Sequence, residues 1–142
     1  MATKADYTDG EWAVLLQALS DVTAYVVLAE GGLWNSFREA RGAAEFLGAQ
    51  KDSSASALVK ELAADMQAGA GKSAISDSAD AGAEVAARVE AACDLVTAKD
   101  PADVPSFRNL VLGLASATAE GSKGIGPEEA KAIETIKAAF GS

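Results

Sequence analysis

The sequence contains no histidine and only one cysteine, Cys93. Without histidine, Ser-His-Asp and Cys-His catalytic groups are impossible, as are zinc sites with imidazole ligands and the Glu-x-x-His di-iron bundle. A lone cysteine cannot form an internal disulfide, so a reducing, cytoplasmic setting is the expectation. Basic residues are also scarce, 12 against 21 acidic ones, for a net charge of −9. Nucleic-acid binding draws its affinity from clustered Lys and Arg, so nucleic acid is not an expected partner. Cations and basic protein surfaces are. Purely apolar runs are short, as at Tyr25–Ala29, against the ~20 residues of a membrane span. The polar opening, Met1 to Gly10, lacks the apolar core of a signal peptide, so no membrane insertion is expected. Only three prolines interrupt the chain.

Alanine fills the space these absences leave, at 33 of 142 residues. It is the best helix former, and its small side chain lets helices approach closely. An all-α single domain over residues 1–142 is expected, long enough to bury a proper core. Periodicity resolves it into a compact bundle of seven short helices. The first runs from a cap at Thr8 or Asp9 to about Ala18, with Trp12, Leu15, Leu16 and Leu19 along one side. Ser20-Asp21 reads as a restart, opening a second helix that stops at Gly31. Ser36-Phe37-Arg38-Glu39 is a capping-box pattern opening a third helix to about Ala49, before a polar break at Lys51–Ser56. The fourth carries Leu58, Leu62, Ala63 and Met66. The fifth, expected to be the longest, starts at Asp77 or Ser78 and buries Val85, Val89, Ala92, Cys93 and Val96. After a turn from Asp100-Pro101 to Pro105, the sixth carries Phe107, Leu110, Val111 and Leu114 to a stop at Gly121. The seventh opens on Pro127 and runs through Ile133, Ile136 and Phe140.

Two stretches repeat one pattern. Ala29-Glu30-Gly31 is followed, after seven residues, by Glu39-Ala40-Arg41; Ala119-Glu120-Gly121 is followed, after seven, by Glu129-Ala130-Lys131. Each reads as helix end, glycine stop, loop and helix start, and together they imply an approximate internal two-fold repeat. Glu39 and Glu129 fall in the first turn of a helix, where a carboxylate answers unpaired N–H groups and the positive dipole end. Glu30 and Glu120 fall at the last turn, where a negative charge opposes the dipole at roughly 0.3–1 kcal/mol each. Arg38 or Lys123 could compensate them. The functional alternative is a divalent cation held by Glu30, Glu39, Glu120 and Glu129. Oxygen-only ligands select a hard ion, Ca²⁺ or Mg²⁺. The loops are not EF-hands, which need Asp or Asn at alternate positions and about twelve residues from first to last ligand.

Other motifs weigh less. Gly69-Ala70-Gly71-Lys72-Ser73 ends like a P-loop, but Met66 stands where the motif needs its first glycine, and a helix precedes it. Cys93 shares a helical face with Val89 and Val96 and reads as core. Trp34, beside Leu33 and Phe37, either folds back over a helix end or marks an exposed partner-binding spot.

The stretches Val27-Leu28-Ala29-Glu30-Gly31 with Glu39-Ala40, and Ala117-Thr118-Ala119-Glu120-Gly121 with Pro127-Glu128-Glu129-Ala130, resemble the TerB-like tellurite-resistance family. The opening Glu11-Trp12-Ala13-Val14-Leu15-Leu16-Gln17-Ala18 looks like the start of its members. The family typically has Asp before the glycine, where this chain has Glu30 and Glu120. The resemblance implies a small all-helical bacterial stress-response protein, not an established enzyme. It acts with protein partners of the Ter type, some calcium-binding and some membrane-embedded. The expected function is therefore a non-catalytic stress-response adaptor with a weak divalent-cation site. The alternatives are a purely structural or homo-oligomerising bundle, or an acid/base enzyme pairing Glu30 with Glu39 or Glu120 with Glu129.

Overall fold

The computed structural model describes residues 2–29, 36–54, 56–69, 80–120 and 127–140. Helices account for nearly all of them: α1 Asp9–Ala29, α2 Ser36–Ser53, α3 Ala57–Gln67, α4 Ala81–Lys99, α5 Val104–Glu120 and α6 Pro127–Ala138. No strand occurs among the described residues. The all-α expectation therefore holds, with six α-helices among the described residues where seven were expected. The internal two-fold repeat turns on the loops at 30–35 and 121–126, which lie outside the described residues.

The difference in helix number lies at Ser20-Asp21. These residues read as a cap, yet α1 passes through them unbroken for 21 residues, about 31 Å at 1.5 Å per residue. Asp21 is fully buried there and bonded to Arg88 of α4. A cap is favoured because it satisfies backbone donors; a tertiary ion pair occupies the carboxylate instead, so the helix has no reason to stop. This makes α1, not the 19-residue α4, the longest helix.

Local signals set the other boundaries. Thr8 Oγ1 accepts from the Glu11 amide at 3.1 Å, and Glu11 Oε1 accepts from the Thr8 amide at 2.8 Å, the reciprocal capping box that starts α1. Ser56 caps α3 through Val59 N. Gly69, at φ 89°, supplies the left-handed residue just past α3, where a side chain would be strained. Asp100 leaves α4 in an extended conformation and accepts from Ala102 N, forming a short turn of 3₁₀ helix at Pro101–Asp103 that leads into α5. Pro127 is the first residue of α6, as its preset φ favours.

The packing has three layers. α1 and α5 form the centre, each touching all the other helices. α2 and α3 pair with each other on one side, and α4 and α6 pair on the other. α1 and α4 run antiparallel: Glu11 meets Lys99, Asp21 meets Arg88, and Tyr25 abuts Gly82. The core is the apolar stripe of each helix, including Leu15, Leu19, Val22 and Val26 of α1 and Phe107, Leu110, Val111 and Leu114 of α5. By length and composition alone Asp9–Leu28 would suffice to cross a membrane, at a mean hydropathy of 1.3. Here its apolar stripe is occupied by the other helices, and the buried carboxylate of Asp21, paired with Arg88, sits at its middle. Cys93, expected in the core, is only half-buried; the stripe of α4 passes through Ala92 instead.

Candidate functional site

The four carboxylates singled out by the repeat are not brought into view as a group. Glu30 lies outside the described residues, as do the side chains of Glu39, Glu120 and Glu129. Trp34, Arg38's side chain, Lys123 and the Lys72-Ser73 stretch lie outside them too. What is described is the backbone framing the two junctions. α1 ends at Ala29 and α2 begins at Ser36; α5 ends at Glu120 and α6 begins at Pro127. Among the described residues, no three metal-ligating side chains converge on a point that could hold an ion.

Charged groups gather instead around residues 2–12. Ala2 N donates to the buried Asp103 Oδ2 at 2.8 Å, joining the N-terminal segment to the turn before α5. Lys4 Nζ and Trp12 Nε1 both donate to Asp65 Oδ2 at 2.8 Å, tying the same segment and α1 to α3. Burial alone would raise the Asp65 carboxyl, but these two donors, with the Lys4 charge, hold it below the usual carboxylate range. Lys99 Nζ reaches Glu11 at 3.1 Å and lies 5.6 Å from the centre of the Tyr7 ring. Tyr7 in turn packs on Trp12, with ring centres 5.5 Å apart. Burial, and then the negative charges of Asp103 and Glu11, push the Tyr7 hydroxyl up to about 12. Each base here faces an acid, and the cluster fastens the segment to the bundle.

Among the described residues, a groove of about 790 Å³ lies between α1, α2 and α3. Ala24 comes from α1, Ala43, Ala44 and Leu47 from α2, and Ala64 and Met66 from α3. Its polar side chains are engaged locally. Ser20 Oγ donates to Met66 Sδ at 3.7 Å, Thr23 Oγ1 to Leu19 O at 3.2 Å, and Gln67 Nε2 to Ala44 O at 3.2 Å. Lys51 is the one charged residue of the described lining. No acid lines the described groove, so it cannot house a carboxylate acid/base pair drawn from those residues.

The sequence reading placed Lys51 in a polar break; it belongs to the last turn of α2. The signal was present, because Ala43, Leu47 and Lys51 recur every four residues and so share one helix face. An alanine-rich face carries no contrast, however, and only the tertiary arrangement shows that α1 and α3 leave it uncovered. No family model, curated protein or solved structure matches the chain.

Proposed function

We propose that this chain is a non-catalytic, cytoplasmic interaction module, an adaptor of the TerB-like stress-response kind. Its two Glu-Gly junctions hold a divalent cation weakly. One observation carries this reading: the two Glu-Gly stretches behind the family resemblance fall where one helix gives way to the next, α1 to α2 and α5 to α6. The helices leading into those junctions are the two that contact all the others. The net charge of −9 favours a cation or a basic partner surface there.

The partners expected are protein components of a stress response, including calcium-binding and membrane-embedded ones. Crosslinking in the native cell followed by co-purification tests this, with a Glu30→Gln/Glu120→Gln double variant as the control. A specific partner captured by the unaltered chain and lost by the double variant is the expected result. Equal capture by both would separate the junctions from partner binding. Ca²⁺ or Mg²⁺ titration tests the cation, with an expected Kd near ~10⁻⁴–10⁻³ M given few and flexible ligands. The melting temperature should rise with metal in the unaltered chain only. No heat at millimolar metal, with no melting shift, would remove the cation from the proposal.

A further inference from the structure

The groove between α1, α2 and α3 has a different chemistry from the junctions, and its occupant does not depend on the adaptor reading. We propose that it binds a free, straight-chain fatty acid, with the tail along α2 and the carboxylate at Lys51.

Size permits it: 790 Å³ falls within the ~300–1,000 Å³ common for small-molecule sites. Lining selects the tail. The walls are mostly alanine methyls with Leu47 and the thioether of Met66, and no aromatic ring interrupts the described surface. Such walls suit a narrow, flexible hydrocarbon, and Met is the side chain best able to adapt to one. Ser20, Thr23 and Gln67 already donate to protein acceptors, so little in the groove calls for a polar ligand body.

Charge selects the head. Lys51 lines the groove at the C-terminal end of α2, and it has no ion pair or side-chain hydrogen bond among the described residues. Lys4, Arg88 and Lys99 are each matched to an acid, and Lys60, which is also unmatched among the described residues, does not line the groove. An unmatched ammonium beside an apolar trough is complementary to one carboxylate. A single such cation is too little for a polyphosphate, and it repels a cationic amphiphile. From Lys51 the shared face runs back through Leu47 to Ala43, about 12 Å of helix at 1.5 Å per residue, the length of a medium fatty tail.

Calorimetric titration of the full chain with octanoate, decanoate and dodecanoate, below their micelle-forming concentrations, tests this. The Kd should tighten about two- to fourfold per added methylene, since each buried CH₂ contributes up to ~0.8 kcal/mol. Lys51→Gln should weaken decanoate about two- to fivefold, the worth of an exposed ion pair, and leave decanol unchanged. Decyltrimethylammonium should bind more weakly than either. Ala44→Phe, at an exposed position of α2, should block all three ligands, with circular dichroism confirming that the bundle remains folded. The proposal is overturned if decanoate gives no heat at millimolar concentration. It is equally overturned if binding is indifferent to head group and to Lys51→Gln. A dimer that Ala44→Phe dissociates, without fatty-acid binding, would assign the groove to a second copy of the chain instead. Lys51→Gln alters only a surface side chain, so its arm decides the matter even if Ala44→Phe fails to fold.

Discussion

Arg88 Nη1 donates to Asp21 Oδ2 at 2.8 Å, and through that bond a carboxylate with no exposed surface sits at the middle of α1. Burying a carboxylate is costly unless a counter-charge and hydrogen bonds replace its water. Arg88→Ala should therefore destabilise the bundle by about 3 kcal/mol, the low end for breaking a buried pair, because Arg88 itself remains partly exposed. A double variant, Asp21→Leu with Arg88→Met, should be closer to the unaltered protein than Arg88→Ala alone. Urea melts of the three proteins check the ordering. A double variant weaker than the single would show that the ion pair itself contributes more than its burial costs.

Gly113 of α5 lies under the Phe46 ring of α2. A methyl built there would stand 2.4 Å from Cζ and 2.8 Å from Cε1. An ordinary helical Gly→Ala change gains about 1 kcal/mol in propensity. Here the ring must move, and overpacking costs about 1–3 kcal/mol. Gly113→Ala should be net destabilising in the unaltered chain and stabilising in a Phe46→Ala background. The sign reversal is the measurement, and two thermal melts in each background provide it.

Asp65 carries an acid-side prediction. Its carboxyl is held below the usual range in the folded state, so its contribution is present above the unfolded pKa of about 3.9. It is lost as pH falls through the lower folded value. Asp65→Asn should thus be less stable than the unaltered protein at neutral pH, and the difference should shrink below about pH 4. A pH-independent gap would mean that the carboxylate charge plays no part and only its hydrogen bonds matter.

Tyr7 carries the alkaline counterpart. Its folded pKa is raised to about 12, so the neutral phenol's contribution is complete below the unfolded value near 10. It is lost as pH rises from there through about 12. In a Tyr25→Phe variant, which leaves Tyr7 as the only tyrosine, tyrosinate absorbance should rise only near that upper pH. A midpoint near 10 would place the hydroxyl in contact with water.

Much of this fold was legible because helix stripes are local. Trp12, Leu15 and Leu19, Val85, Val89 and Val96, and Phe107, Leu110 and Leu114 were all assigned to the core from spacing, and all are buried. What failed were positions whose meaning lies far along the chain. Asp21 looked like a cap because the residue that answers it stands 67 positions later. Cys93 sits one step off the stripe that Ala92 occupies, a difference of orientation that spacing alone does not separate. The groove was illegible because alanine serves equally at a close helix contact and at an open wall. Lys51 shows its place only once α1 and α3 are seen to leave that face of α2 uncovered.

The antiparallel pairing of α1 with α4 sets a schedule for synthesis. At ~5–20 residues per second, the 67 positions between Asp21 and Arg88 correspond to about 3–13 s of elongation. Through that interval the most apolar helix of the chain lacks the guanidinium that neutralises its centre and the stripe of α4 that covers it. A nascent chain halted before α4 would carry Leu15, Leu19, Val22 and Val26 against α2 and α3 alone. Apolar surface left uncovered in this way is prone to self-association, so the order in which the helices are made, and not only the stability of the finished bundle, bears on how the chain folds.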